Sequence, residues 1–357
     1  MRCLFVLLLI ALPAFAQERT HDVKPEDYFT LNTVTEIAVS PFGKYVAYGL
    51  ATWDKADDLR KTDLWIVPAD GKGSPRRLTF DRANDRHIRW SVNSDCLYFL
   101  GNRKRAGETK PPYDGSTQVW KVKLARVIPE DANALEGLEP RAITKVEGGV
   151  TGYDFAQLGE AVFYSTNKEH SDSDGFSKLR AKFGKVEYGH GVRKVSEIHK
   201  IDLSTWGTEK LVDDTRYIRE FAVTVRGDKI AMVSAFDDTV VKSEGESRVD
   251  VWEAGKIVTP PTDSYRKNAA SPYAWLENLA WGGTGKHFAF TAIHDAYPAE
   301  VIIGTAGKDG WTTSKLDRKG NWEVVGYGRA AGPPVQWYAE DEYMISIDDH
   351  GTVGVKT

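Results

Sequence analysis

The feature that most constrains this chain is a hairpin phrase that returns six times. Its first form is Ile37-Ala-Val-Ser-Pro-Phe-Gly-Lys-Tyr-Val-Ala-Tyr48: an apolar strand, a tight turn at Pro41 to Gly43, and a second strand of alternating apolar residues. Proline presets φ near −65° and glycine takes the positive φ that such a turn requires. Altered copies run over Ile88–Phe99, Tyr153–Tyr164, Phe221–Met232, Leu279–Phe290 and Val335–Ser346. Their turn residues, Gly43, Ser94, Gly159, Gly227, Gly285 and Asp341, are spaced by 51, 65, 68, 58 and 56 residues. A period of this size built from strands alone specifies a β-propeller, an all-β ring of four-stranded blades.

The remainder of each repeat agrees. A third strand carries a ring at a matching place in Leu64-Trp65-Ile-Val67, Val119-Trp120-Lys-Val122, Ile198-His199-Lys-Ile201 and Val251-Trp252-Glu253. A short fourth segment follows: Arg77-Leu-Thr79, Ala142-Ile-Thr144, Lys210-Leu-Val212 and Lys256-Ile-Val-Thr259. Alternation in such strands places one set of side chains against the neighbouring blade, so no blade is stable by itself. His199 stands where three other repeats have Trp, which makes it a packing residue rather than a metal ligand. The sixth copy continues into a turn and the start of a third strand, and lacks its fourth. The expected layout is therefore a signal peptide over 1–16, an N-terminal segment over 17–33 with a helical turn at Pro25–Leu31, and a truncated propeller over 34–357.

Composition supports a packed, exported β-protein. The 357 residues are 41% hydrophobic, and eleven Trp and fifteen Tyr against three Met favour an aromatic-packed sheet interior over a helical bundle. Lys plus Arg (47) nearly balances Asp plus Glu (51), so nothing calls for nucleic acid. Arg2, the apolar run Cys3 to Phe15 and the small-x-small site Ala14-Phe-Ala16 read as a secretory signal cleaved after Ala16. The apolar run is too short for a membrane span, so the expected location is periplasmic or secreted, with no membrane contact after cleavage. One cysteine, Cys96, would then remain, and it reads as a small buried hydrophobe.

The sequence offers no catalytic constellation and no metal or cofactor motif. Gly175-Phe-Ser-Lys-Leu179 and Gly245-Glu-Ser-Arg-Val249 have the first glycine of a nucleophile elbow but lack the second, and no βαβ alternation exists to hold one. The eight histidines form no His-x-x-x-His pair, and Ser171-Asp-Ser-Asp-Gly175 is an incomplete echo of a calcium loop. The stretch Asp54 to Asp58 reads as solvated loop, and Gly71-Lys-Gly73 as a turn between third and fourth strands. Two insertions, Asn102 to Asp114 and Asn167 to Val195, are expected to carry recognition, since long loops on a rigid scaffold commonly do. Arg103, Lys104, Arg105, Arg180, Lys182, Arg193 and Lys194 near their tips are candidates for steering an acidic peptide, with surface solubility as the plainer alternative.

Val39-Ser-Pro-Phe-Gly-Lys-Tyr-Val-Ala-Tyr48, preceded by Pro25-Glu-Asp-Tyr-Phe29, resembles the opening of exported bacterial peptidases of the prolyl oligopeptidase family, in particular the dipeptidyl aminopeptidase and acylaminoacyl-peptidase branch. Asp63-Leu-Trp-Ile-Val-Pro68, Arg77-Leu-Thr79 and Ile198-His-Lys-Ile-Asp-Leu203 agree with it. The resemblance implies a propeller lid gating oligopeptide access to a C-terminal α/β-hydrolase domain, which is absent here together with its Ser-Asp-His triad. No catalytic residue carries over, and the paired-glutamate segment of true dipeptidyl peptidases has no clear match. The alternatives are a stand-alone periplasmic propeller that binds a protein or peptide partner, and a propeller enzyme with a channel-bound metal.

Overall fold

A computed structural model of the chain describes residues 22–128, 131–137, 139–171, 178, 181–184, 192–239, 247–261, 274–294, 299–317, 320, 322–324, 334–338 and 342–357. It is an all-β structure of six antiparallel blades in a ring. Blade 1 comprises β1 (Thr33–Val39), β2 (Tyr45–Asp54), β3 (Leu59–Pro68) and β4 (Arg76–Arg77). Blade 2 comprises β5 (Arg86–Trp90), β6 (Cys96–Gly101), β7 (Gln118–Ile128) and β9 (Arg141–Ala142), with β8 (Asp131–Gly137) folded back on the end of β7. Blade 3 is β10 (Gly152–Ala156), β11 (Ala161–Ser171), β12 (Val192–Asp202) and β13 (Thr208–Val212). Blade 4 is β14 (Tyr217–Val223), β15 (Lys229–Ala235), β16 (Arg248–Glu253) and β17 (Lys256–Val258). Blade 5 is β18 (Trp275–Trp281), β19 (His287–Ile293), β20 (Glu300–Gly307) and β21 (Gly310–Lys315). In blade 6 the inner position is divided between β22 (Glu323–Val324) and β23 (Val335–Trp337), both paired to one edge of β24 (Tyr343–Asp349), and β25 (Thr352–Lys356) takes the other edge.

The hairpin turn that repeats in sequence has a chemical basis. In blades 1, 2 and 4 a hydroxyl residue opens it, and its oxygen accepts amides across the turn: Tyr45 N–H to Ser40, Cys96 N–H to Ser91, and Lys229 N–H to Thr224. Gly43, Ser94, Gly227 and Gly285 hold φ between 57° and 72°. Gly159 is different, because positive φ falls on Glu160 instead. Glycine is required at 159 because a Cβ there would sit 2.5 Å from the Arg226 carbonyl of blade 4. Residue 341 lies outside the described residues.

The core is divided into five slabs, one per junction between successive blades. Leu64 and Ile66 of blade 1 pack with Ile88, Leu97, Phe99 and Trp120 of blade 2. Cys96, Tyr98 and Val119 pack against Tyr153, Phe155 and Val162 of blade 3. Similar slabs join blades 3 and 4, 4 and 5, and 5 and 6. Cys96 is buried as expected, and burial pushes its thiol up to about 11, leaving it un-ionised at neutral pH.

Two readings of the repeat need correction. Trp65, Trp120 and His199 do occupy one position, opposite Tyr48, Phe99 and Tyr164. Trp252 instead pairs with Ile230, and the matching position, opposite Met232, belongs to Asp250. Asp250 is fully buried and accepts hydrogen bonds from Ser234, Thr259, Arg216 and Arg248, so a carboxylate with four donors fills the place of a ring. The insertion placed at Asn167–Val195 is also shorter than expected. Residues 167–171 continue β11 and pair with 192–196 of β12, because alternating side chains there still allow a ladder.

One asymmetry runs through the ring. Ile88, Tyr153, Phe221 and Leu279 occupy one inner-strand position and are 2%, 1%, 9% and 5% exposed, each against the preceding blade. Their counterpart in blade 1, Ile37, is 48% exposed. On the opposite flank Val355 of β25 is 62% exposed, although Leu64 and Val119 at the same place are fully buried. Both outermost faces thus keep apolar surface that every internal junction removes from water.

Candidate functional site

Strand alternation sorts the connections. The turns joining β1 to β2, β5 to β6, β10 to β11, β14 to β15 and β18 to β19 fall on one rim; the β2–β3 and β6–β7 connections and the crossover from blade 1 to blade 2 fall on the other. On this second rim, between blades 1 and 2, two adjoining clefts flank Phe80. One encloses about 580 Å³ among Phe29, Trp53, Asp54, Lys61, Asp63, Arg77 and Arg82; the other encloses about 240 Å³ among Leu78, Arg103, Arg105, Tyr113, Glu139 and Pro140. Phe80 is 69% exposed, with the Arg77 guanidinium 5.0 Å from its ring centre. Phe80 thus stands as an exposed aromatic between two polar clefts.

The cleft walls are fixed by ion pairs. Arg103, buried behind Phe80, donates from Nη1 and Nη2 to Asp85 at 2.9 Å each and from Nε to Asp81 at 2.6 Å. Its guanidinium stacks 4.6 Å from the Trp120 ring centre, and the Trp120 indole donates to the Gly101 carbonyl. A side chain at 101 would meet Arg103 Nη1 and Asp85 within 2.5 Å, so glycine admits the pair. Burial pushes the Asp85 carboxyl up to about 6, with Arg103 offsetting part of the cost. Asp63 is likewise raised by burial, although Arg77 donates to it at 2.7 Å. Asp54 goes the other way: hydrogen bonds from Lys61 and Arg82 hold it at about 2. It closes β2 within this ion-pair network rather than lying in a solvated loop, and only the residues after it form the turn.

Nearer the axis, inner-strand carboxylates tie blades 1 to 5 together in succession. Glu36 accepts the backbone amides of His87 and Ile88, and three blades on Glu220 accepts those of Asn278 and Leu279 at 2.9 and 2.7 Å. Between them Asp154 takes Arg89 on one oxygen and the Val223 amide on the other. Burial raises both glutamates above the usual carboxylate range. His87 and Asn278 adopt positive φ at the bulges these carboxylates cap.

The basic residues proposed for steering do not converge. Arg103 is buried in its ion pairs. Arg105 stacks 3.7 Å from Tyr113 and bonds Glu139, Arg193 covers Phe236 and donates to the Thr215 and Phe236 carbonyls, and Lys194 pairs with Asp238. Lys104 and Lys182 are exposed, Lys182 beside Phe183. Arg180, residues 172–177 and 240–246, and the signal region within 1–21 lie outside the described residues. His199 stacks on Tyr164 at 5.1 Å and bonds Glu197, a packing role. Gly71-Lys-Gly73 is the β3–β4 turn, with Gly71 at positive φ. Among the described residues no group of three or more His, Cys, Asp or Glu could hold a metal ion, and no helix is long and apolar enough to cross a membrane. The reading missed Phe80, Asp81 and Asp85 because they lie in a crossover between repeats, where alternating charges were the only signal.

The fold is a β-propeller similar to the propeller portion of peptidases that act on peptides. No family model matches the chain. Over 143 residues it is 26% identical to dipeptidyl-peptidase 5 of Porphyromonas endodontalis, a match covering 40% of this chain and 18% of that protein. Dipeptidyl-peptidase 5 of Porphyromonas gingivalis is 27% identical over 90 residues, 25% of this chain and 13% of that protein. In fold, the chain superposes on an acylaminoacyl peptidase of Pyrococcus horikoshii with a TM-score of 0.56 at 11% identity, covering 92% of this chain and 45% of that one. The match is to the propeller portion of prolyl oligopeptidase-type peptidases, and the chain spans less than half the length of the relatives it matches.

Proposed function

We propose that this chain is the propeller portion of an exported serine peptidase of prolyl oligopeptidase type, a non-catalytic lid that gates oligopeptides to an α/β-hydrolase domain. The observation that carries the reading is the sequence match to dipeptidyl-peptidase 5 on a propeller that itself holds no nucleophile elbow. Export rests on the Arg2 to Ala16 signal pattern. The purified chain is expected to leave aminoacyl and peptidyl p-nitroanilides intact and to resist labelling by a fluorophosphonate probe. Serine-specific turnover by the pure chain overturns the reading. The coding frame past codon 357 is expected to reach a Gly-x-Ser-x-Gly elbow; a stop there favours a stand-alone binding propeller instead.

A further inference from the structure

The crossover from blade 1 to blade 2 sets one ring outward on an anchored backbone. Leu78 and Thr79 are 1% and 0% exposed, whereas Phe80, next in the chain, is 69% exposed. Thr79 is held by the Leu64 amide on its hydroxyl at 2.9 Å and by Arg77 Nε on its carbonyl at 2.8 Å. Asp81 is held from the other side by Arg103 Nε at 2.6 Å. Fixed at both neighbours, the ring keeps an open face toward the clefts beside it.

The larger cleft, about 580 Å³, is lined by charges whose hydrogen-bonding capacity is unequally used. Its acids are mostly satisfied. Asp54 accepts Lys61 and Arg82 on one oxygen and the Ala56 amide on the other. Asp63, 11% exposed, accepts Arg77 at 2.7 Å. Its guanidiniums are not satisfied. Arg77 uses Nε on the Thr79 carbonyl and Nη2 on Asp63, which leaves Nη1. Arg82 uses Nη2 on Asp54 and Asp57, which leaves Nε and Nη1 on a side chain 66% exposed. In the smaller cleft Arg105 stacks on Tyr113 and pairs with Glu139. Unused donors on planar cations beside an exposed aromatic match a carboxylate joined to an apolar or aromatic group. Asp81, with one oxygen on Arg103, keeps the other for an N–H beside that carboxylate.

We propose that the Phe80 cleft binds a peptide carboxylate. The carboxylate accepts from Arg77 and Arg82, the neighbouring apolar side chain lies on the open face of Phe80, and a backbone N–H donates to Asp81. A free C-terminus and an Asp or Glu side chain supply the same group, and the test separates them. Every side chain used lies between Asp54 and Arg103, in blades 1 and 2 and the crossover joining them. The proposal does not rest on the peptidase reading, and the turnover assay that tests that reading leaves it untouched.

Isothermal titration calorimetry of the full chain with three N-acetylated tripeptides reads the site. Acetyl-Gly-Gly-Phe with a free carboxyl terminus carries the first source, acetyl-Gly-Asp-Phe-amide the second, and acetyl-Gly-Gly-Phe-amide neither. One of the first two should bind about tenfold or more tightly than the third, and the tighter of them identifies the source. Its affinity should fall as sodium chloride is raised. Phe80→Ala and Arg82→Gln should each weaken it about tenfold. Both side chains are mostly exposed, so the unfolding midpoints of these variants should stay close to that of the parent chain. Equal affinity for the three peptides, no binding of either carboxylate peptide, or binding untouched by either substitution overturns the assignment. Tighter binding of acetyl-Gly-Arg-Phe-amide also overturns it, and would give the cleft to a cation held by Asp81.

Discussion

Replacing Ile88 and Ile37 by alanine, one at a time, compares the same inner-strand position in two successive blades. Ile88 is 2% exposed and packs in the slab between blades 1 and 2. Truncating it removes buried methyl groups and leaves a cavity that neighbours on both sheets only partly fill, a loss of about 2–5 kcal/mol. Ile37 is 48% exposed, so only about half its transfer energy is at stake and water fills the vacated space. Its loss should be about 1 kcal/mol. Urea unfolding followed by tryptophan fluorescence, with the slope held equal among variants, measures the difference as a shift in midpoint. Similar losses for Ile37→Ala and Ile88→Ala would show that blade 1's flank is covered in solution, and would refute the reasoning that places it at an open edge.

Three further outcomes follow from the ion pairs and turns. Asp85→Asn strands the buried Arg103 with Asp81 alone and should cost about 3 kcal/mol in the same unfolding assay, whereas Asp85→Leu combined with Arg103→Met should recover most of that loss. Because burial raises Asp85 to about 6 from its ordinary 3.8, the folded chain holds that proton more tightly than the unfolded one; its contribution to stability is complete below about pH 4 and is lost as pH rises through 6, and Asp85→Asn should flatten this part of the stability profile. Gly159→Ala should destabilise the chain by about 1–3 kcal/mol through its clash with the Arg226 carbonyl, while Gly71→Ala, with open space around it but positive φ, should cost only about 1 kcal/mol; thermal midpoints separate the two.

The propeller was legible in the sequence because its turn is written in local chemistry: a hydroxyl, a residue at positive φ, and two strands whose alternation survives substitution. The third strand was less legible. Val251-Trp252 looks like Leu64-Trp65, yet the ladder places Asp250 where Trp65 stands, because register is set by pairing across the blade and not by the ring nearest in sequence. Arg103 was assigned to a loop tip because nothing local distinguishes a buried arginine from a solvated one. Its partners, Asp81 and Asp85, lie 22 and 18 residues away across a crossover. Glu36 and Glu220 were invisible for the same reason: the amides they cap belong to the next blade, 51 to 59 residues further on.

Dividing the hydrophobic interior into five slabs has a mechanical consequence. Each blade is braced only by its immediate neighbours, so a disturbance at one junction should reach a distant blade only by passing through those between, like a push handed along a row of leaning books.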